Sequence, residues 1–167
     1  KSIYPKNKEH FKKLIPFAKK IFKICKKNKI PFVIYGSFPH FYHTKDETMN
    51  VNDIDVLVKE KYIPKIAEEL KKHQIKLKPY PYGAIIKKGK LKVEVDKMDK
   101  EYNSTRKYNS FFKNTKKIDF YGIKINIFSL KQVEDIYKVA ILRTKDDKVK
   151  IGRKIKSLEK FLGRKLR

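Results

Sequence analysis

The sequence predicts an α/β (α+β) fold, with a mixed central sheet, flanking helices and a short basic helical C-terminus. Short apolar runs of strand length alternate with longer segments in which apolar residues recur at helical spacing. The 167 residues show no internal repeat and no low-complexity linker, and this length can bury a substantial core. We therefore expect one domain over residues 1–167, made of an N-terminal helix (1–30), a sheet-bearing core (31–128) and a helical C-terminal part (129–167).

The helices are predicted from the spacing of apolar residues and from the residues that start and stop them. In the first helix, Pro16 should kink or shorten the helix because it lacks an N–H group. Ser129 and Gln132 have the spacing of a capping box, which marks a helix start. The predicted helices cover residues 7–28, about 61–73, 129 to about 143, and a C-terminal stretch that stops near Gly163.

The strands are predicted from apolar runs bounded by turn residues. Gly89 and Gly122 lie between pairs of such runs, so each pair should form a hairpin. The predicted strands are Pro31–Tyr35 and Asn52–Val58, followed by the hairpins Gly83–Lys87 with Leu91–Met98 and Ile118–Tyr121 with Ile123–Phe128.

Two aspartates at the start of the second predicted strand are the main functional signal. Asp53 and Asp55 are two residues apart, so in a strand their side chains project from the same face. Like charges on one face repel, which is poor for folding but suits the binding of a hard divalent cation. Mg²⁺ (or Mn²⁺) prefers such oxygen ligands. The preceding strand ends at Gly36-Ser37, a turn typical of α/β proteins.

A third carboxylate is expected from the second strand of the first hairpin. Glu94 and Asp96 share one face of this strand. If the strand lies beside Asp53 and Asp55, either acid could complete a cluster that holds one or two metal ions and activates an attacking hydroxyl. We take Asp96 as the first choice and Glu94 as the alternative. A further interpretation is that both acids mark the solvated face of a half-exposed hairpin.

The charge balance is strongly basic, with 44 Lys and Arg against 18 Asp and Glu and a formal net charge of +26. Such a surface attracts polyanions, above all nucleic acid. Only five of the basic residues are arginine, the residue that makes bidentate phosphate and base contacts. The composition therefore favours sequence-independent attraction to RNA or DNA, or reflects a general bias towards lysine.

The C-terminal segment concentrates this charge. Residues 148–167 contain nine basic residues and one acid, Glu159. A helix here could contact an RNA backbone, and nearby aromatic residues could stack on bases. The alternative is a solvated helix face on a lysine-rich protein. The aromatic residues in question are Tyr102, Tyr108, Phe111 and Phe112.

Several classes of protein are disfavoured by composition. No apolar run approaches the roughly 20 residues that span a bilayer, so no membrane span is expected. The first residues lack the apolar core of a secretory signal. The single cysteine, Cys25, can form neither an intramolecular disulfide nor a thiolate zinc site. We expect a reducing, cytoplasmic location.

The combination of Tyr35-Gly36-Ser37, Asp53-Ile54-Asp55 and a later acid on a strand resembles the signature of the polymerase-β-like nucleotidyltransferase superfamily. Residues 118–138 are also similar to a segment of its bacterial and archaeal branch, which includes aminoglycoside and lincosamide nucleotidyltransferases and nucleotidyltransferase-like toxins of toxin–antitoxin systems. In that segment a hairpin leads into a helix bearing a lysine, here Lys138, followed by a Lys-Asp pair, here Lys145-Asp146. The resemblance covers roughly residues 31–147.

The resemblance implies a nucleotidyltransferase fold, with residues 31–128 as its catalytic core. Gly36 would let the backbone approach the triphosphate of a bound NTP such as ATP, and Ser37 would bind a phosphate oxygen. Lys138 would reach a phosphate, or would form an i,i+4 ion pair with Glu134 instead. The metal ligands and catalytic residues implied by the resemblance are Asp53, Asp55 and Asp96.

The function that the resemblance implies is transfer of NMP from an NTP to an acceptor hydroxyl, with Mg²⁺ as cofactor. The basic charge makes RNA, such as the 3′ end of tRNA, the favoured acceptor. The alternative is a nucleic-acid-binding or antitoxin-like module with a vestigial site.

The segment after Ser37 departs from the family pattern because it lacks the small residues that let the following helix pack tightly. It contains His40 and His43, which could contact substrate or act as acid/base groups, or could be surface loop residues.

Overall fold

The structure is a computed structural model that describes residues 2–97, 111–143 and 148–166. Within these residues it has five α-helices and seven strands, as the sequence predicts for a mixed α/β fold. The helices are α1 (Lys8–Lys27), α2 (Ser37–Thr44), α3 (Ile63–Lys71), α4 (Leu130–Arg143) and α5 (Lys148–Leu162). The strands are β1 (Val33–Tyr35), β2 (Ile54–Leu57), β3 (Leu77–Tyr80), β4 (Gly83–Lys88), β5 (Leu91–Asp96), β6 (Lys116–Phe120) and β7 (Ile123–Ile127).

The seven strands form one mixed sheet in the order β3-β4-β5-β2-β1-β7-β6. The pairs β2–β5 and β1–β7 are parallel, and the other neighbours are antiparallel. Both predicted hairpins are present, as β4–β5 and β6–β7. Because β5 pairs with β2 in parallel, the acids of the first hairpin lie beside the Asp53/Asp55 strand.

The two faces of the sheet bury different clusters. Ile54, Val56, Val93 and Val95 belong to the larger cluster, which contains the buried faces of α1 and α3. The opposite face packs with α4 and α5 in a second cluster that includes Leu57. Since side chains alternate along a strand, Asp55 and Glu94 project towards this second side. The sheet therefore separates the acids from α1.

Two local features differ from the prediction. Helix α1 continues through Pro16, which is exposed while the opposite side of the helix is buried, so the proline does not shorten the helix. Strand β3 was not predicted; it contains Pro79 and lies at the sheet edge, where a missing N–H group is tolerated.

The predicted capping box at the start of α4 is confirmed. Gln132 N donates to Ser129 Oγ at 3.2 Å, and Ser129 N donates to Gln132 Oε1 at 2.9 Å. Each side chain thus satisfies a backbone N–H group that the helix leaves without an acceptor. No helix within the described residues is both long and apolar enough to cross a membrane.

Candidate active site

The candidate site is a group of three carboxylates on neighbouring strands. Asp53 immediately precedes β2, Asp55 lies within β2, and Glu94 lies on β5 directly opposite Asp55. Each residue offers a carboxylate oxygen, and these oxygens all lie within 4.8 Å of one another. Three hard oxygen donors at this spacing fit a divalent cation such as Mg²⁺ or Mn²⁺. The parallel register of β2 and β5 creates this group.

Asp96, the first choice of the sequence analysis, lies outside that group among the described residues. Its side chain is 5% exposed and accepts hydrogen bonds from the hydroxyls of Tyr35 and Tyr80. The geometry therefore brings the alternative, Glu94, to the two aspartates. Asp96 lies two residues further along the same face, where two tyrosines hold it, and its catalytic role stays a prediction.

Burial and like charge disfavour ionisation within the site. Burial, together with the charges of Asp53 and Glu94, raises the pKa of Asp55 well above its usual range. Burial also raises the pKa of Asp96, although the hydrogen bonds from the two tyrosines act in the opposite direction. In the metal-free protein these carboxyls therefore tend to keep a proton, which a bound cation would displace.

Lys92 contacts two of the three carboxylates. Its Nζ lies 2.9 Å from Glu94 Oε1 and 3.3 Å from Asp53 Oδ2. Lys92 is two residues before Glu94, so the alternation of β5 places both side chains on one face. The metal-free cluster thus contains an internal counter-cation.

Gly36 and Ser37 form the turn between β1 and α2, next to the acids. Gly36 has φ +79°, and a Cβ at this position would overlap Oδ2 of Asp55. Glycine is therefore required here by both backbone conformation and space. Ser37 is the first residue of α2, whose N-terminal N–H groups have no acceptor within the helix. Lys154 of α5 lies close, with its Nζ 3.5 Å from Ser37 Oγ.

Lys138 forms the ion pair that the sequence offered as an alternative. Its Nζ lies 3.4 Å from Glu134, which is buried and also contacts Arg164 at 2.7 Å. A contact between Lys138 and a phosphate stays a prediction. The Lys145-Asp146 pair lies outside the described residues.

His40 is a buried residue of helix α2 and not a surface loop residue. Its Nδ1 lies 2.7 Å from Tyr137 OH and its Nε2 lies 3.1 Å from Ser157 Oγ, which donates to Asp46 at 2.5 Å. Burial, reinforced by the charge of Lys154, lowers the pKa of His40 to about 4. A neutral ring that accepts from Tyr137 and donates to Ser157 fits this arrangement, so His40 joins α2 to α4 and α5.

His43 is half-buried on the same helix. Its Nε2 lies 2.7 Å from the carbonyl oxygen of Phe128 and donates to it. Burial is also the main cause that lowers the pKa of His43. The structure thus gives both histidines packing partners within the fold.

The aromatic residues proposed for base stacking are only partly described. Phe111 stacks on Phe128 with ring centroids 5.7 Å apart, and Phe112 packs against the same cluster. These two rings support the core. Tyr102 and Tyr108 lie outside the described residues.

Four site residues were given no role by the sequence analysis: Tyr35, Tyr80, Lys92 and Lys154. Lys92 could have been found from the alternation of β5, since it shares a face with Glu94. Tyr80 lies on the unpredicted strand β3. Lys154 reaches Ser37 only through the packing of α5 on α2, which no local pattern reveals.

Comparison with solved structures identifies the fold. The chain is similar to ANT(2")-Ia in complex with adenylyl-2"-tobramycin, with a TM-score of 0.58 and 13% identity over 89% of each chain. It is also similar to the lincomycin-bound lincosamide antibiotic adenylyltransferase LnuA, with a TM-score of 0.57 and 13% identity over 86% of this chain and 95% of that chain. Similarity to the Megavirus polyadenylate synthase has a TM-score of 0.54 and 14% identity, over 89% of this chain and 32% of that chain.

At the level of sequence, no protein-family model and no curated protein matches the chain. The structural similarities confirm the expected fold: the chain has the fold of these nucleotidyltransferase structures. Because the same fold serves different acceptors, it does not define the substrate.

Proposed function

We propose that this chain is a Mg²⁺-dependent (or Mn²⁺-dependent) nucleotidyltransferase that moves NMP from an NTP to an acceptor hydroxyl. The observation that carries the proposal is the contact between the glycine turn and the acidic cluster. Gly36 lies against the side chain of Asp55. A carboxylate oxygen of Asp55 lies within 4.8 Å of carboxylate oxygens of Asp53 and Glu94. A phosphate on the turn and a cation on the acids would therefore be neighbours, as phosphoryl chemistry requires.

The metal would be held by Asp53, Asp55 and Glu94, with Asp96 as the alternative third ligand. When bound, the cation would neutralise phosphate charge and so make the α-phosphorus more open to attack. The tyrosine contacts of Asp96 leave its oxygens less available than those of Glu94. We therefore assign Asp96 a positioning role, through which Tyr35 and Tyr80 connect β1 and β3 to the site.

The phosphates would lie on Gly36, Ser37 and the N-terminus of α2. Helix N-terminal N–H groups and the helix dipole favour anions at this position. Lys154 is beside Ser37 and would add a positive charge to the same place. Lys138 is the second candidate, although its present partner is Glu134.

The reaction would form one bond and break one bond. The acceptor oxygen attacks the α-phosphorus, while the bond from this phosphorus to the oxygen of the leaving pyrophosphate breaks. The proton of the acceptor hydroxyl goes to the carboxylate of Glu94, which is partly exposed. The lysines beside the phosphates offset the charge of the departing pyrophosphate.

RNA is the acceptor class that we favour, for example the 3′ end of tRNA. Helix α5 carries Lys154 next to Ser37, and seven residues later Phe161 is 49% exposed on the same side of the helix. Lys156, Lys160 and Lys165 of the same C-terminal segment are also exposed. An exposed aromatic ring among lysines suits a single-stranded nucleic acid, whereas a cationic aminoglycoside would be repelled by a net charge of +26.

The proposal is tested by incubating the chain with each labelled NTP, Mg²⁺ or Mn²⁺, and RNA, protein and small-molecule acceptors. Label should enter RNA with the wild type and not with Asp53→Asn/Asp55→Asn. Asp119→Asn removes an exposed acid of β6 and is the matched control. Equal transfer by the wild type and the double variant would refute this site.

A second candidate is a nucleic-acid-binding or antitoxin-like module with a vestigial site. The contact of Lys92 with Asp53 and Glu94 favours it, because the acids already have a cation partner. Salt-sensitive RNA binding without label transfer to any acceptor would support this function over the first.

A further inference from the structure

The position of Lys92 in the carboxylate cluster suggests a role in metal binding. Its Nζ lies between Glu94 and Asp53, at 2.9 Å and 3.3 Å from their oxygens. Ion pairs on the surface of a protein are often incidental. Here, however, Lys92 and Glu94 lie on β5 and Asp53 immediately precedes its neighbour β2. All three side chains are at most 30% exposed, so the contact is built into this part of the sheet.

A cation bridging Asp53 and Glu94 cannot coexist with the ammonium in this position. Mg²⁺ lies about 2.0–2.1 Å from each of its oxygen ligands. No ammonium group fits between the metal and a carboxylate at this distance. Lys92 occupies the same two carboxylates, so a metal that uses both must displace it. Binding of metal alone therefore carries the additional cost of moving an ammonium group away from two acids.

The incoming nucleotide changes that cost. Lysine has a flexible four-carbon stem, so its ammonium can move while its backbone stays in β5. A triphosphate bound beside the cluster would offer the displaced ammonium a new anionic partner. Metal without nucleotide offers none.

We propose that Lys92 is a displaceable counter-cation that weakens metal binding to the empty site and couples metal binding to nucleotide binding. This inference rests on the proposed metal site of Asp53, Asp55 and Glu94. It makes the metal-loaded state depend on nucleotide, and it explains why an acidic cluster of this kind contains a lysine.

The experiment measures Mn²⁺ binding by the electron paramagnetic resonance signal of free Mn²⁺, with and without α,β-methylene-ATP. The variants are Lys92→Met and, as control, Lys87→Met. Lys87 is paired with Lys92 in the β4–β5 register and is exposed, so this control removes the same charge from the neighbouring strand. Thermal unfolding checks that both variants fold.

We expect Lys92→Met to bind Mn²⁺ alone roughly tenfold more tightly than the wild type, and Lys87→Met to change the affinity much less. The analogue should tighten Mn²⁺ binding more in the wild type than in Lys92→Met, because coupling is reciprocal and Lys92 carries it. Asp53→Asn should abolish Mn²⁺ binding in either background.

Two results would overturn the role of Lys92 and leave the metal site intact. One is equal Mn²⁺ affinity of Lys92→Met and the wild type. The other is an equal gain in Mn²⁺ affinity in Lys92→Met and Lys87→Met, which would show an effect of net charge. If none of the proteins binds Mn²⁺ even with the analogue, the proposed metal site itself is refuted, and the role of Lys92 with it.

Discussion

Gly36 and Asp55 are packed so closely that a Cβ on Gly36 would overlap Oδ2 of the aspartate. The contact joins the turn after β1 to the acid on β2, which pairs antiparallel with β1. Two requirements thus coincide at one position: a left-handed backbone, φ +79°, and the absence of a side chain. The proposed phosphate turn and the proposed metal ligand are one packed unit.

Gly36→Ala should therefore destabilise the fold and abolish transfer. We expect a loss of about 3 kcal/mol or more, because backbone strain and overlap with the half-buried Asp55 carboxyl add. Gly89→Ala is the control: φ is +61° there, and a Cβ meets no described atom within 4 Å. This variant should lose only about 1–2 kcal/mol from backbone strain. Urea unfolding of both variants measures the difference, and equal losses would contradict a contact with Asp55.

Asp55→Asn should stabilise the metal-free protein increasingly as the pH rises, while it abolishes transfer. Burial and the charges of Asp53 and Glu94 raise the pKa of Asp55 in the folded state. The folded state then holds this proton more tightly than the unfolded state, so the wild type loses stability above the unfolded pKa of about 4. The asparagine removes this loss.

Urea unfolding in EDTA between pH 4 and 8 measures the effect as the difference in free energy of unfolding between Asp55→Asn and the wild type. Mn²⁺ should narrow this difference because it stabilises only the wild type. A difference that does not change with pH would refute the raised pKa of Asp55.

The sequence predicts most of the sheet and part of the site, because alternation and turn residues are local signals. The shared face of Asp53 and Asp55, the two hairpins and the capping box at Ser129 all follow from short patterns. The choice between Glu94 and Asp96 as the third carboxylate does not follow from such patterns. It depends on the register of β5 against β2, which is set by packing between strands that are distant in the chain.

The remaining differences also come from tertiary structure. Strand β3 contains Pro79, which has no N–H group to donate. The proline is tolerated because β3 is an edge strand of the sheet. His40 is polar and follows a turn, which is typical of an exposed residue. It is buried because α4 and α5 cover α2 and supply hydroxyl partners in Tyr137 and Ser157.

The buried His40 should make the protein sensitive to acid. Burial lowers the pKa of His40 from 6.5 to about 4, so the folded state favours the neutral ring. The contribution to stability is present above pH 6.5 and is lost as the pH falls towards 4, by about 3 kcal/mol in total. His40→Asn should remove this part of the pH dependence. Tyr137→Phe leaves the imidazole of His40 in place and should retain the pH dependence. Urea unfolding of the wild type and both variants between pH 4 and 7 measures the difference.

Lys154→Met should weaken nucleotide binding more than Lys138→Met. Lys154 lies 3.5 Å from Ser37 Oγ, at the proposed phosphate position, whereas Lys138 pairs with Glu134. Loss of a lysine that contacts phosphate should raise the dissociation constant of α,β-methylene-ATP at least about tenfold, since charged hydrogen bonds contribute about 1.5–3 kcal/mol. Titration with a fluorescent analogue measures both variants. The opposite order would restore Lys138 as the phosphate lysine.

If RNA is the acceptor, charge on α5 should matter more for its binding than the same charge on α1. Helix α5 lies on the side of the sheet that bears the acids, and α1 lies on the other side. Lys156→Gln/Lys160→Gln/Lys165→Gln removes two exposed charges from α5 and one from the segment just after it. The matched variant Lys20→Gln/Lys23→Gln/Lys27→Gln removes three from α1.

Anisotropy titrations with single-stranded RNA at several salt concentrations measure both the affinity and its salt dependence. The α5 variant should reduce the slope of log K against log salt by about 2, because fewer counterions are released from the RNA on binding when phosphate contacts are lost. The α1 variant should leave the slope nearly unchanged. Phe161→Ala should weaken binding by about 1–3 kcal/mol without changing the slope, since stacking releases no counterions. Equal effects of the α5 and α1 variants would instead mean that RNA is attracted by the lysine coat as a whole.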